Sequence, residues 1–157
     1  MRNRHLLERL RDIFSSGAKD SSEKLEITNE EEVVPLAAAL VLLEVAWADH
    51  TLEEKELNLI RNSLISLYGI DKKTANGVLS RAQEERTNNT SMYPFTRQLN
   101  DRLDLEERKK LLVHLWRMNS FDGSPFHYEE GVIRKTSELL HLRHSEFIQA
   151  KLEAKSL

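Results

Sequence analysis

The chain has 157 residues, of which 39% are hydrophobic and 31% are charged, and this is enough for one domain whose single core needs no disulfide or metal for stability. The 23 basic and 26 acidic residues nearly cancel, which argues against a global field that would attract nucleic acid or an anionic membrane. Cysteine is absent, which excludes disulfides, thiolate nucleophiles and cysteine-ligated zinc or iron–sulfur sites and suits a cytoplasmic protein.

The first segment, residues 4–14, is predicted to form a short amphipathic helix. Its apolar residues recur on one side of that helix: Leu6, Leu7, Leu10, Ile13 and Phe14. The polar residues that follow, 18–25, predict a linker. The sequence therefore divides into an N-terminal helix with its linker, residues 1–27, and a main helical domain, residues 28–157.

The main domain is predicted to be all-α. Apolar residues recur at helical spacing almost throughout, and there are no alternating β-branched runs that would predict strands. Thr28 or Asn29 is expected to open the domain, with Glu30 to Glu32 in a first turn where the helix dipole is positive. Pro35 is expected to limit the regular helix to residues 36–48, because proline is unfavourable inside a helix. This stretch is too short to span a bilayer and is expected to be a buried core helix.

Capping signals place the next helix at residues 52–68. Thr51 and Glu54 have the spacing of a capping box, and Gly69 is a typical helix stop.

Three further starts follow along the chain. Asp71 is predicted to cap a third helix, and Pro94 suits the first turn of a short one. Asp104 and Glu107 then form a second capping box, which begins a helix that runs to about residue 119.

The second half of the domain repeats the first. Aligning Asp122 with Asp49 also aligns several apolar and charged positions without a gap: Leu115 with Leu42, Glu129 with Glu56, Ile133 with Ile60, Arg134 with Arg61, and Leu140 with Leu67. In each copy an apolar helix leads to an Asp at a turn, and a second helix follows. We expect the two units to pack about a pseudo-twofold axis, with the apolar helices 36–48 and 111–118 against each other.

These motifs carry a resemblance to a known family. The Ala-rich apolar helix that ends at Ala48-Asp49, followed by an acidic helix start, resembles the tellurite-resistance TerB-like proteins, and the resemblance covers roughly residues 30–144. The motif's residues in the two copies are Asp49 with Glu53, Glu54 and Glu56, and Phe121-Asp122-Gly123 with Glu129 and Glu130. His50 stands where the first turn of the family usually has Gly.

The short N-terminal helix with its polar linker is similar to a group of uncharacterised bacterial TerB-like proteins. A TerB-like domain also occurs in membrane-anchored J-domain co-chaperones, but the His-Pro-Asp tripeptide of a J-domain is absent here. The resemblance implies a duplicated helical bundle, acidic positions proposed to bind metal ions, and a link to tellurite or other stress.

Four acidic residues are the candidate metal ligands: Asp49, Glu56, Asp122 and Glu129. Calcium and magnesium require several oxygen ligands that converge from rigid elements, and these carboxylates could supply them. In the alternative interpretation, each Asp stabilises a turn and each Glu lies near a positive helix N-terminus, worth about 0.3–1 kcal/mol apiece. His127 could add a nitrogen ligand that suits zinc, but a surface histidine is the alternative there.

Other conspicuous residues are expected to be structural. His141 and His144 could share a helix face, but the favoured interpretation is that they lie near a helix C-terminus, where a cationic histidine is stabilising. Trp47 and Trp116 are predicted to lie in the core. The basic run 108–110 is expected to be a solvated helix face that is too short to bind nucleic acid.

These observations favour a cytoplasmic, non-enzymatic module that binds a divalent metal or a protein partner through its acidic turns. One alternative is a metal-assisted hydrolase that uses the same carboxylates. Another is a membrane-surface adaptor, whose N-terminal helix would meet anionic headgroups through its arginines, Arg2, Arg4, Arg9 and Arg11.

Overall fold

The structure is a computed structural model that describes residues 30–47, 52–86, 91–120 and 127–156, with the side chains of 31–47, 52–86, 91–118 and 130–156. Within these ranges there are seven helices and no strand, which confirms the predicted all-α class. The helices are α1 (Glu30–Ala46), α2 (Glu54–Tyr68), α3 (Lys72–Arg86), α4 (Tyr93–Arg102), α5 (Leu105–Ser120), α6 (His127–Leu139) and α7 (His144–Lys155). None of these helices is long and apolar enough to cross a membrane. The predicted N-terminal helix and linker lie outside the described residues.

Helix α1 is the centre of the bundle. Almost every side chain from Val33 to Ala46 is buried, and α1 contacts α2, α3, α4, α5 and α6. A helix that is apolar on all sides must be enclosed by other elements. Because fully burying a Val or Leu side chain contributes roughly 1.5–3 kcal/mol, the enclosure of α1 is a main source of stability.

Pro35 lies inside α1, so the prediction that it limits the regular helix to the residues after it was wrong, whereas Glu30 to Glu32 form the first turn as predicted. Proline removes one backbone hydrogen bond and clashes with the preceding turn, at a cost of about 3 kcal/mol in a helix interior. Here Pro35 and its neighbours Val33 and Leu36 are all buried. Their burial offsets the local cost and extends the helix back to Glu30.

The start of α2 also differs from the prediction. Its N-cap is Glu53, whose backbone N–H donates to Glu56 Oε1 at 2.9 Å. The capping box is therefore formed two residues later than the predicted one at Thr51 and Glu54. The predicted end is confirmed: Gly69 adopts φ 67° and its N–H donates to the Ile65 carbonyl at 2.9 Å.

The three remaining helix starts are confirmed. Asp71 Oδ1 accepts the Thr74 N–H at 2.7 Å at the start of α3, and Pro94 lies in the first turn of α4. At the start of α5, Asp104 N–H donates to Glu107 Oε1 at 2.9 Å, and Glu107 N–H donates to Asp104 Oδ1 at 2.8 Å.

Helix contacts follow the predicted duplication. Exchanging α1 with α5, α2 with α6 and α3 with α7 converts the α1–α3 contact into α5–α7, and the α1–α6 contact into α2–α5. Aligned apolar residues are also equally buried, since Leu42 and Leu115 are both 0% exposed, as are Ile60 and Ile133. This is the pattern that a pseudo-twofold relation between the two units requires.

A buried polar pair joins the two units. Ser63 on α2 and His114 on α5 are buried, and Ser63 Oγ and His114 Nδ1 share a hydrogen bond of 2.8 Å. Burial lowers the pKa of His114 to about 4, and the positive charge of Arg117 adds a smaller effect in the same direction. The imidazole is therefore neutral in the folded protein at neutral pH.

The turn between α6 and α7 contains a strained histidine. His141 adopts φ 61°, its N–H donates to the Glu138 carbonyl at 3.0 Å, and the Leu142 N–H donates to the Ser137 carbonyl at 3.0 Å. This is a Schellman ending, in which glycine normally occupies the left-handed position. His141 and His144 do not share a helix face, because His141 lies in the turn after α6 and His144 begins α7.

Side chains from two other helices also bind the end of α6. Asn100 Nδ2 donates to the Leu139 carbonyl at 2.8 Å, and Arg108 Nη1 donates to the Leu140 carbonyl at 2.7 Å. Such donors satisfy carbonyls that a helix C-terminus leaves without partners. The expectation of a solvated basic face at 108–110 was thus wrong for Arg108, although Lys110 is exposed.

We expect the His114 pair to make stability depend on pH. Because the pKa of His114 is about 4 in the folded protein and 6.5 ordinarily, the unfolded chain binds more protons between these values. The contribution of neutral His114 to the free energy of unfolding should be fully present above pH 6.5. The free energy of unfolding should fall by roughly 1–3 kcal/mol as the pH drops toward 4. Urea unfolding of wild type and His114→Gln across this range measures the difference. Equal slopes for the two proteins would contradict the assignment, and His144→Gln, at an exposed histidine, is the control.

His141→Gly should stabilise the protein by about 1 kcal/mol, because glycine adopts a left-handed conformation without the steric cost of a Cβ. His141→Ala keeps that cost and should give no comparable gain. Gly69→Ala provides the converse test, since a Cβ there meets no atom within 4 Å and only the backbone conformation is penalised. Urea unfolding gives all three values, and a loss of stability in His141→Gly would refute this account of the turn.

Candidate functional site

The structure describes the helices that precede and follow the two acidic turns. Asp49 and Asp122 lie outside the described residues, and for Glu129 and His127 only the backbone, in the first turn of α6, is described. Among the predicted ligands, Glu56 is the one whose side chain is described. Among all described side chains, no three of His, Asp or Glu form a group that could hold a metal ion.

Glu56 lies in the first turn of α2 and is partly exposed. One of its carboxylate oxygens, Oε1, accepts the Glu53 N–H of the capping box. This is the structural role that the alternative interpretation assigned to it. A carboxylate has further lone pairs beyond the one that a cap uses, so capping and ligand binding are compatible in chemistry.

The cationic side chain of Arg86 lies near the C-terminal end of α1, the helix that leads to the first turn. On α3, the Arg86 guanidinium lies 4.5 Å from the ring centroid of Trp47, and its Nε is 3.7 Å from Glu44 Oε1 on α1. The Arg86 side chain is 18% exposed. Burial lowers the pKa of Arg86, whereas the charge of Glu44 opposes that change. We call Glu44, Trp47 and Arg86 the first flank.

Trp47 is only partly buried, so the prediction of a core position was wrong for this residue. It directly follows Ala46, the last α-helical residue of α1. The indole is covered on one face by the Arg86 guanidinium, which is a favourable cation–π arrangement.

A second group of charges lies on α6 and α7, the helices that follow the second turn. Glu130 on α6 lies within ion-pair distance of two cations: Arg134 Nη2 is 3.7 Å from its Oε2, and Lys151 Nζ is 3.9 Å from its Oε1. Lys151 belongs to α7, so the carboxylate also connects the last two helices. We call Glu130, Arg134 and Lys151 the second flank.

Two aromatic rings contact the cations of the second flank. The Arg134 guanidinium lies 4.5 Å from the Phe147 ring centroid, and Lys151 Nζ lies 5.1 Å from that of Trp116. The two rings are 5.0 Å apart, and Trp116 Nε1 donates to the Phe147 carbonyl at 3.1 Å. Trp116 is 1% exposed, which confirms its predicted core position.

A carboxylate on a helix that adjoins each acidic turn along the chain therefore already has cationic partners. Glu44 and Glu130 are neutralised by Arg86 and by Arg134 with Lys151, so their negative charge is largely balanced within the protein. The sequence analysis did not single out these cations. Arg134 was visible as a repeat position, but the partners of Glu44 and Glu130 on α3 and α7 have no local signal.

We expect Glu56→Ala to lower the free energy of unfolding by about 1 kcal/mol, because the Glu53 N–H loses its acceptor. Glu56→Gln keeps an acceptor oxygen and should remain close to wild type. Glu54→Ala changes an exposed neighbour in the same turn and should alter stability by less than about 0.5 kcal/mol. Denaturant unfolding compares the three, and equal losses in Glu54→Ala and Glu56→Ala would show that the capping bond is unimportant.

Comparisons with known proteins agree with the helical architecture. Searches of curated proteins and of solved structures gave no match. The family described as Tellurite resistance protein TerB matches residues 35–152, which include all of α2 to α6 and most of α1 and α7. Since the match covers most of the chain, this protein belongs to the TerB family.

Proposed function

We propose that this TerB protein is a non-enzymatic binding module that uses its two acidic turns to bind a divalent metal ion or a basic segment of a protein partner. The residues in this role are Asp49 and Glu56 in the first unit and Asp122 and Glu129 in the second. His127 is a further nitrogen donor if the ion is a transition metal. The link to tellurite or another stress rests on the family alone.

The observation that supports the proposal is the equivalent packing of the helices on either side of the two turns. Each turn connects a core helix, α1 or α5, to the helix that packs on it, α2 or α6. Aligned residues such as Ile60 and Ile133 are equally buried, so α2 and α6 pack on the core in the same way. The rigid N-terminal ends of α2 and α6 suit ligands that must converge on an ion.

The charges beside the turns also support this choice of residues. Glu44 and Glu130 are occupied by cations of the protein itself. These neighbours are therefore poorer candidates for an external cation than the carboxylates at the turns. An external cation or a basic partner would find fixed positive charges on the flanks, which would restrict how it approaches.

A cytoplasmic binding role fits a chain without cysteine. The partner is proposed to be a protein and not a nucleic acid, because the formal net charge of −3 gives no general attraction for phosphates.

We expect divalent ions to raise the thermal stability of the wild-type protein. An ion that binds only the folded state stabilises it by about 2.7 kcal/mol at a hundredfold excess over its dissociation constant. Thermal melts in millimolar calcium, magnesium, manganese and zinc should identify the ion. The double variant Asp49→Asn with Asp122→Asn should lose the increase while keeping the turns, because Asn also tolerates turns and caps helices.

The matched control is Asp71→Asn, which removes a charge from a helix-capping Asp outside the acidic turns. It should keep the full metal-dependent increase in melting temperature. Glu56→Gln separates capping from binding, since the amide preserves the cap but is a weaker metal ligand. If the wild-type melting temperature is unchanged by every ion, the metal-binding proposal is wrong and the turns have only structural roles.

A further inference from the structure

Helix α7 has apolar residues on two opposite faces. Phe147 and Ala150 point into the core and are 2% and 3% exposed, whereas Ile148 and Leu152 are 38% and 61% exposed. The exposed pair is four residues apart, so both side chains lie on one stripe of the helix surface. A surface helix of a monomer has no need for this second apolar stripe.

The stripe borders a groove between α5 and α7 with a volume of about 160 Å³. Val113 and Ala150, which are both buried, form its apolar floor. Gln149 and Glu153, neighbours of the stripe on α7, line one side of the groove. Helix α5 contributes the opposite wall.

The net charges on the two walls differ in sign. The α5 wall carries Lys109 and Lys110 with the acidic Glu106, and the α7 wall carries Glu146 and Glu153. Lys109 is paired with Glu106 at 3.3 Å, and Glu146 is paired with Arg143 at 3.2 Å. Lys110 and Glu153 are exposed, and neither has an ion-pair partner among the described residues.

A helix that fits this groove needs an apolar stripe. Beside that stripe it needs an acidic residue that can face Lys110 and basic residues that can face the acidic α7 wall. Helix α7 has these features itself: Ile148 and Leu152 lie between Glu153 on one side and Lys151 with Lys155 on the other. An identical chain can therefore offer its Glu153 to Lys110 and receive the same contact in return. Such reciprocity is the property of an isologous twofold interface.

We infer that the protein forms a twofold homodimer in which α7 of each copy lies in the α5–α7 groove of the other. The exposed apolar pair covers the groove floor of the partner, and two symmetric Lys110–Glu153 contacts set the antiparallel register. The four helices would form an interface of the helix-in-groove kind, with a hydrophobic centre and a charged rim. The inference does not depend on metal binding at the acidic turns.

Sedimentation velocity of the full chain at roughly micromolar to several-hundred-micromolar concentration measures the monomer–dimer equilibrium. Leu152→Glu places a charge in the apolar centre and should raise the dissociation constant by roughly a hundredfold. Tyr93→Glu is the matched control, because Tyr93 is exposed to a similar extent, 56%, but lies on α4. It should leave the dissociation constant unchanged. Circular dichroism checks that both variants remain folded.

Mixing two variants tests the charge contacts across the interface. Lys110→Glu and Glu153→Lys should each raise the dissociation constant by roughly tenfold or more, since each homodimer then contains two like-charge contacts. In an equimolar mixture, the heterodimer contains one native and one reversed contact, both attractive, so dimers should reappear. Contacts within one copy cannot produce this recovery.

A wild-type chain that remains monomeric across the concentration range would overturn the inference, and the apolar stripe would then belong to another occupant. A wild-type dimer that Leu152→Glu leaves intact, or a variant mixture that shows no recovery, would also overturn it, because the interface would lie elsewhere.

Discussion

The enclosure of α1 is the constraint on which the rest of the structure depends. From Val33 to Ala46 this helix is apolar on nearly every side, and it is stable only when other helices cover its whole circumference. Five helices meet this requirement. The same packing offsets the local cost of Pro35.

The counterpart helix α5 shows how the two units have diverged. Positions 111–116 are buried as in α1, but the first turns of α5 carry charged side chains and Lys110 is exposed. Helix α5 therefore does not require complete enclosure, and a polar-walled groove remains between it and α7. The two units therefore share their helix packing but differ in how fully their central helices are enclosed.

Charged residues in this protein mainly connect helices to each other. Arg108 binds the carbonyl end of α6, Arg86 joins α3 to α1, and Lys151 joins α7 to α6. Stacking on an aromatic ring allows Arg86 and Lys151 to keep a charge close to the core at a modest desolvation cost. These cations neutralise Glu44 and Glu130, the carboxylates of the two flanks.

Local sequence signals were sufficient for features that involve residues three or four positions apart. Helical periodicity predicted the all-α class. The helix stop at Gly69, the cap at Asp71 and the Asp104–Glu107 capping box were correctly placed. The 73-residue offset predicted the paired burial of Leu42 with Leu115.

Tertiary structure decided the features that depend on distant residues. Burial, and not propensity, carries α1 through Pro35, and packing holds His141 in a left-handed conformation that its own side chain disfavours. The sequence identified Glu56 as a candidate ligand but not its bond to Glu53, because several acidic residues there compete for the same cap. The partners of Glu44 and Glu130 come from helices far along the chain, and only the folded contacts select which cation reaches each carboxylate.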